Sequence, residues 1–273
     1  MGLFGRKRKE EKTVDDWIVL GGDLRDSERY EEAISCYDEA LEIYPENAEA
    51  WFWKGSALRE LKRSEEAIKC LDTALRDPTY ADTARLAKGE ILQNLEKYEE
   101  AISCYDEALE SNSKFEAAWF QKGVSLSFLK KYEEAITCFD NALEIDPEYE
   151  DAWFCKGYTL EKLQRPGDRE AMECFDKATE INPKNCLAWH RKGAILSFLK
   201  KYEEAITCFD NALEIDPEFD GAWAVKGHTL VEWGRYEEAI RCCDMALEID
   251  PMNALAKIAR EDAERKLKEK ELR

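Results

Sequence analysis

The chain has 273 residues, 37% of them charged, and a formal net charge of −20. No run of 18 apolar residues is present to cross a bilayer, and so acidic a chain lacks the basic face that phosphate contacts need, which excludes nucleic acid as the main partner. Ten cysteines, with no apolar leader in Met1–Lys12, point to free thiols in a reducing cytoplasm.

Residues 1–13 read as a disordered basic tail. Its MGLFGRKRK run offers a second reading, contact with an anionic membrane surface through Arg6–Lys9, with Leu3 and Phe4 inserting. A myristoylation pattern wants Ser or Thr at the sixth residue, where Arg6 stands.

From Val14 onward the chain repeats with a period of 34. YEEAISCYDEALE occurs at Tyr30–Glu42 and again at Tyr98–Glu110. The register gives seven repeats: Val14–Asn47, Ala48–Tyr80, Asp82–Phe115, Glu116–Tyr149, Glu150–Asn185, Cys186–Phe219 and Asp220–Asn253. Residues 254–273 form a last helix. Numbering positions 1 to 34 within a repeat, position 4 is Trp17, Trp51, Trp119, Trp153, Trp189 and Trp223, with Arg85 the exception. Position 8 is glycine throughout, from Gly21 to Gly227, and position 11 is leucine in most repeats. The spacing 4, 8, 11 lies on one helical face, and a recurrent mid-helix glycine, which costs about 1 kcal/mol against alanine, implies a close helix–helix contact there.

Each second helix opens on a pair such as Glu31-Glu32, suited to the positive end of a helix dipole. Alanines recur at positions 20 and 27, an aromatic or apolar residue at 24, and a proline closes most repeats. Cysteine stands at position 23 in every repeat: Cys36, Cys70, Cys104, Cys138, Cys174, Cys208 and Cys242. This ladder could pass for metal or redox chemistry. Position 23, however, falls inside the apolar arc of positions 20, 21, 24, 27, 28 and 30, so these are small, reduced core residues. There is no CxxC pair, Gly-rich phosphate loop, GxSxG or HExxH, so neither cofactor, metal nor catalysis is expected.

The pattern W-x2-L-G…A-x3-F…A…P resembles the tetratricopeptide repeat across Val14–Asn253. Lys, where the family has Leu, stands at position 7 from the second repeat on (Lys54, Lys88, Lys122, Lys156, Lys192, Lys226). Its stem covers apolar surface while its amine reaches water. The Lys-Gly and Leu-Glu-Ile-Asp-Pro phrasing looks most like archaeal, methanogen members. The resemblance implies an all-α, right-handed superhelical α-solenoid of seven helix-turn-helix repeats with a C-terminal capping helix. The cap's stripe is Leu255, Ile258, Ala259, Ala263 and Leu267.

Irregularities stand out in chain order. The second repeat is one residue short at the Arg76–Asp82 joint, where either a local change of superhelical pitch or a neutral variant joint is expected. The fifth is two residues long, with a Gln164–Asp168 turn. LSFLKKYEEAITCFDNALEIDPE occurs twice, at Leu126–Glu148 and Leu196–Glu218, as a copied block would.

In the family the first helices line a concave groove, and positions 2, 5, 9, 12 and 13 face the ligand. The resemblance thereby assigns Phe52, Phe120, Phe128, Phe154, Tyr158 and Phe198 to an aromatic groove, flanked by Trp53 and joined by His190 and His228 as polar groove residues. No three consecutive repeats carry the Lys and Asn set with which chaperone adaptors clamp a terminal carboxylate. The function this implies is a non-catalytic scaffold or adaptor that holds peptide segments of partner proteins, with Phe120 and Phe154 the natural double substitution to abolish capture. Two readings stand beside it: a co-chaperone holding apolar client segments, and a self-assembling scaffold, so homo-oligomers remain open.

Overall fold

The computed structural model describes residues 12–163 and 169–272; the basic run at the N-terminus and the Gln164–Asp168 turn lie outside them. The described residues fold as an α-solenoid of fifteen helices, without a strand. They fall into two compact bodies, one up to Lys131 and one from Tyr132. The first holds α1 (Val14–Asp26), α2 (Tyr30–Ile43), α3 (Ala48–Glu60), α4 (Ser64–Ala74), α5 (Pro78–Asn94), α6 (Tyr98–Ser111) and α7 (Glu116–Phe128). The second holds α8 (Tyr132–Ile145), α9 (Glu150–Lys162), α10 (Arg169–Ile181), α11 (Cys186–Phe198), α12 (Tyr202–Ile215), α13 (Asp220–Trp233), α14 (Tyr236–Ile249) and α15 (Ala254–Glu271).

The recurrent glycine is where first and second helices meet. A Cβ on Gly193 would lie 2.7 Å from the Phe209 ring, and one on Gly21 would lie 2.5 Å from Tyr37. In the repeats that lie within one body, position 8 therefore seats the position-24 side chain of its own repeat. Those side chains are the largest fully buried ones: Tyr37, Tyr105, Phe139, Phe175 and Phe209, each 0% exposed. Burying one contributes roughly 2–3 kcal/mol. The alanines at position 27 (Ala40, Ala74, Ala108, Ala142, Ala178, Ala212, Ala246) are all fully buried beside them.

Position 3 has the same character and escapes a reading by motif. Ala50, Ala84, Ala118, Ala152, Ala188, Ala222 and Ala256 are all 0% exposed. In α1, Asp16 takes that position and Asp23 takes position 10, which is buried and small or branched in later repeats. Asp16 instead closes a capping box: it donates its backbone N–H to Thr13 Oγ1 at 3.2 Å and accepts from Thr13 N at 2.8 Å.

The turn between helices repeats too. Position 15 adopts positive φ in Glu28, Lys62, Glu96, Lys130, Lys200 and Gly234. The next backbone N–H donates to the position-11 carbonyl, as from Arg63 to Leu58 at 2.9 Å. In these six repeats a left-handed cap ends the first helix and starts the second.

Two expectations are corrected. The position-7 lysine amine is not left to water. It pairs with the aspartate sixteen residues earlier, on the second helix of the preceding repeat: Lys54–Asp38 at 2.5 Å, Lys88–Asp72 at 2.6 Å, Lys122–Asp106 at 2.5 Å, Lys156–Asp140 at 2.8 Å, Lys192–Asp176 at 2.6 Å, and Lys226–Asp210. The indole of position 4 supports the amine from the side, as Trp51 does for Lys54 at 5.3 Å, and donates its own N–H to the repeat-closing residue, as Trp51 does to the Pro45 carbonyl at 2.8 Å. The second correction is the stripe of α15. Ala256, Ala259 and Ala263 are buried, whereas Leu255 and Ile258 are 37% and 64% exposed. The helix rotates so that Arg260, at position 7, reaches Asp244 at 2.6 Å and extends the same latch. Its positions 4, 8 and 11 are then Lys257, Glu261 and Glu264, which give a following second helix no apolar seat.

At the short joint, α4 spans 11 residues and α5 spans 17. Pro78, which in sequence stands where a proline closes the other repeats, is instead the first residue of α5, and Asp77 caps it by accepting the Thr79 N–H at 2.8 Å. The first helix of the third repeat thus starts about one turn ahead of its register and brings Tyr80 with it.

Candidate functional site

Within each body the first helices of successive repeats pack against one another, α1, α3, α5 and α7 in one and α11, α13 and α15 in the other. The positions assigned to ligand contact lie along these helices and are not equivalent in the structure. Position 5 is mostly a packing position. Ile18 and Ala224 are buried, and Phe154 lies 5.8 Å from the ring of its own repeat's Phe175. Phe52 contacts Trp53 edge-on at 4.8 Å and Tyr80 at 5.8 Å. Phe120 is half-buried. Replacing Phe154 with Ala would therefore open the core as well as alter a surface.

His190, expected on the groove as a polar residue, is packed. Its ring lies 4.9 Å from Phe219 and 6.0 Å from Phe209, and neither nitrogen meets a hydrogen-bond partner among the described residues. Burial, then the neighbouring Arg191 cation, lower its pKa to about 4, so the ring stays neutral through the physiological range. His228 is exposed. The two histidines do not share an environment, and no group of three or more His, Cys, Asp or Glu among the described residues is placed to hold a metal ion.

Position 13 is the open one. Phe128 is 60% exposed, stacked on Tyr98 with the rings 5.0 Å apart and 9° from parallel. Phe198, its counterpart in the copied block, is 62% exposed. Each is followed by a leucine and two lysines, Lys130-Lys131 and Lys200-Lys201. Tyr158, at position 9 of the second body, lies beneath two cations, Lys162 at 4.8 Å and Arg191 at 5.0 Å; the Arg191 guanidinium also approaches Glu161 at 3.7 Å.

In the first body the same face is largely polar. Arg59, Glu60, Lys62, Glu90, Gln93, Asn94 and Gln121 line an open cavity of about 440 Å³. Arg59 pairs with Glu90 and, at 3.0 Å, with Glu60. Gln93 donates to Gln121 Oε1 at 3.3 Å and accepts from Ser125 at 2.6 Å. Burial raises the Glu90 pKa against the opposing pull of Arg59. All but Lys62 stand at positions 6, 9, 12 and 13, which the sequence reading already puts on or beside the groove; what the sequence does not show is that residues of three repeats meet in one polar cavity.

The position-23 cysteines form no disulfide among the described residues, and all but the half-buried Cys104 are buried. Burial pushes Cys70 and Cys208 up to about 11 and Cys174 up to about 12, which leaves them protonated and poor nucleophiles at neutral pH. No helix among the described residues is long and apolar enough to cross a membrane.

The family model described as tetratricopeptide repeat protein 21 N-terminal ARM repeat matches residues 26–240. No curated protein sequence matches the chain. Among solved structures, YrrB, described as a TPR protein with an unusual peptide-binding site, is 26% identical with a TM-score of 0.63, covering 71% of this chain and 99% of its own. The C-terminal part of a TPR repeat-containing protein from Cytophaga hutchinsonii is 14% identical with a TM-score of 0.70, covering 89% and 98%. Pseudomonas aeruginosa pilF is 18% identical with a TM-score of 0.69, covering 79% and 97%. At those identities the last two bear on the fold alone.

Proposed function

From the premise that this chain belongs to the tetratricopeptide repeat protein 21 N-terminal ARM repeat family, we propose that it is a non-catalytic scaffold whose first-helix face holds peptide segments of partner proteins. The observation that carries this reading is the pair Phe128 and Phe198, large apolar rings more than half exposed at a position where other repeats place Asp26, Glu60, Asn94, Lys162 and Glu232. An exposed ring costs free energy unless something covers it, and aromatic anchors set in a polar rim are the usual hot spots of an interface. The peptide-binding description of YrrB, the relative with 26% identity, supports the same reading.

Holding apolar client segments, as a co-chaperone does, would use the same rings with less sequence preference. Self-assembly end to end is less supported, since Asp16 and Asp23 at one end and Lys257, Glu261 and Glu264 at the other occupy positions that are apolar or small inside the array.

The test uses the full chain. Peptides are selected from a random dodecapeptide display library, and their affinities are measured by fluorescence anisotropy for the wild type and for the Phe128→Ala, Phe198→Ala double variant. Loss of at least about tenfold in affinity, with an unchanged circular dichroism spectrum, is the expected result. Unaltered affinity, or no peptide selected at all, would sink the reading.

A further inference from the structure

The irregular joint between the second and third repeats builds an aromatic cluster that no other repeat shows among the described residues. Because α5 starts at Pro78, Tyr80 sits on an additional helical turn facing α3. Its ring lies 5.8 Å from Phe52, which lies 4.8 Å from Trp53 at an interplanar angle of 67°. The Trp53 indole N–H donates to Glu49 Oε1 at 3.4 Å, one turn earlier on α3. All four residues are half-buried, so the cluster is neither core nor fully solvated. Trp53 stands at position 6, which elsewhere holds Val19, Ala87, Gln121, Cys155, Arg191 and Val225.

Three aromatic rings beside one carboxylate form a chemistry with a single preferred class of guest. Ring faces carry negative quadrupole potential, and a cation over them gains roughly 0.5–2 kcal/mol depending on desolvation. The chain itself demonstrates the preference: the Arg25 guanidinium rests 4.1 Å from the Trp53 ring centroid, held by Asp26 at 2.8 Å. Tyr80 agrees with this picture, since burial first and then the Glu49 carboxylate hold its phenol above the ordinary value. An anion would meet the Glu49 carboxylate, and an aliphatic side chain would make no use of the acceptor capacity the carboxylate keeps beside the Trp53 N–H. The net charge of −20 draws cations toward the whole molecule.

We propose that Glu49, Phe52, Trp53 and Tyr80 form a cation-accepting site for a lysine or arginine side chain of a bound peptide. The proposal rests on the peptide-binding reading above and specifies which residue of the peptide the first body selects. Arg25 covers part of the Trp53 ring and is held by Asp26, so it frames the site.

The experiment takes peptides selected from a random dodecapeptide display library against the full chain, labelled with fluorescein, together with versions in which each Lys or Arg is replaced by Gln. The expected result is that the selected peptides share one basic residue and that replacing it weakens binding about tenfold. Glu49→Gln, which keeps the side-chain shape, should weaken the basic peptide by a similar factor and leave the Gln version unchanged, with an unmoved thermal midpoint. Trp53→Leu serves as a second variant with the same expected pattern. Selected peptides without a shared basic residue, or equal effects of Glu49→Gln on both peptide versions, would overturn this inference while leaving peptide binding intact. Failure to select any peptide would overturn both.

Discussion

Lys156 Nζ lies 2.8 Å from Asp140 Oδ1, on the second helix of the preceding repeat, and 2.9 Å from Glu170 on the second helix of its own. Lys156 is the most buried of the position-7 lysines, its side chain 10% exposed. Burial opposes its charge, but the hydrogen bonds it donates to both carboxylates outweigh that and hold its pKa above the ordinary lysine value. The stability this contributes is therefore fully present below the unfolded lysine pKa of about 10.4 and is lost only as pH rises beyond it. Lys156→Ala should cost about 1–2 kcal/mol in urea unfolding at pH 7, because both partner carboxylates are half exposed, whereas Lys200→Ala should stay within about 0.5 kcal/mol. Equal effects would show that the latch contributes nothing.

Two helical glycines, one in each body, should respond oppositely to a Cβ. Gly22 has nothing within 4 Å of where that atom would stand, so Gly22→Ala should stabilise by about 0.5–1 kcal/mol through helix propensity alone. Gly193→Ala would drive its Cβ to 2.7 Å from Phe209 and should destabilise by about 1–3 kcal/mol. Thermal or urea midpoints of the two variants check both signs.

The position-24 tyrosines differ in their hydroxyls. Tyr37 Oη is buried without a hydrogen-bond partner among the described residues, while Tyr105 Oη donates to Gln93 Oε1 at 3.4 Å. Tyr37→Phe should be neutral or stabilise by up to about 1–2 kcal/mol, and Tyr105→Phe should cost about 0.5–1 kcal/mol. Phe139, Phe175 and Phe209 already fill this position in later repeats.

How much of this was legible beforehand depends on where a residue's partner lies. Gly193 against Phe209 could be foreseen, since seven glycines at one register have one economical explanation, and the thiols' burial followed from the helical arc alone. The partner of Lys156 could not, because Asp140 lies on another helix and resembles any solvated acid along its flank. His190 was misplaced because register assigns a face but not the neighbours, and Phe219 closes over it from the adjoining turn. Tyr80 was hidden by Pro78, read as a stop when it is a start.

His190 makes acid sensitivity a local property of the second body. With its folded pKa lowered to about 4 against an ordinary 6.5, the unfolded chain binds the extra proton first, so stability falls as pH drops from 6.5 toward 4. His190→Leu should remove on the order of 1–3 kcal/mol of that pH dependence, read from urea midpoints at pH 7.0 and 4.5. A slope unchanged from wild type would place the acid sensitivity elsewhere.

The thiols supply the alkaline counterpart. With Cys70, Cys174, Cys208 and Cys243 raised to about 11–12 from an ordinary 9.0, chiefly by burial, stability should decline as pH climbs from 9 toward 12. A bulky aromatic disulfide reagent at pH 8 should label the half-buried Cys104 and Cys186 first and the buried position-23 thiols only on denaturation. Rapid native labelling of Cys174 would contradict its burial.

The lysine–aspartate latch has a genetic corollary. Each lysine finds its aspartate sixteen residues back, so both halves of every coupling travel with the period. A segment copied in whole periods brings an aspartate for the next lysine and a lysine for the previous aspartate. The block at Leu126–Glu148, matched letter for letter at Leu196–Glu218, carries Asp140 and Asp210, and these meet Lys156 and Lys226 outside the block on equal terms. Lengthening or shortening this chain by 34 residues is thus a change that its joints accept, whereas an insertion of any other length between partners would leave an ammonium and a carboxylate stranded.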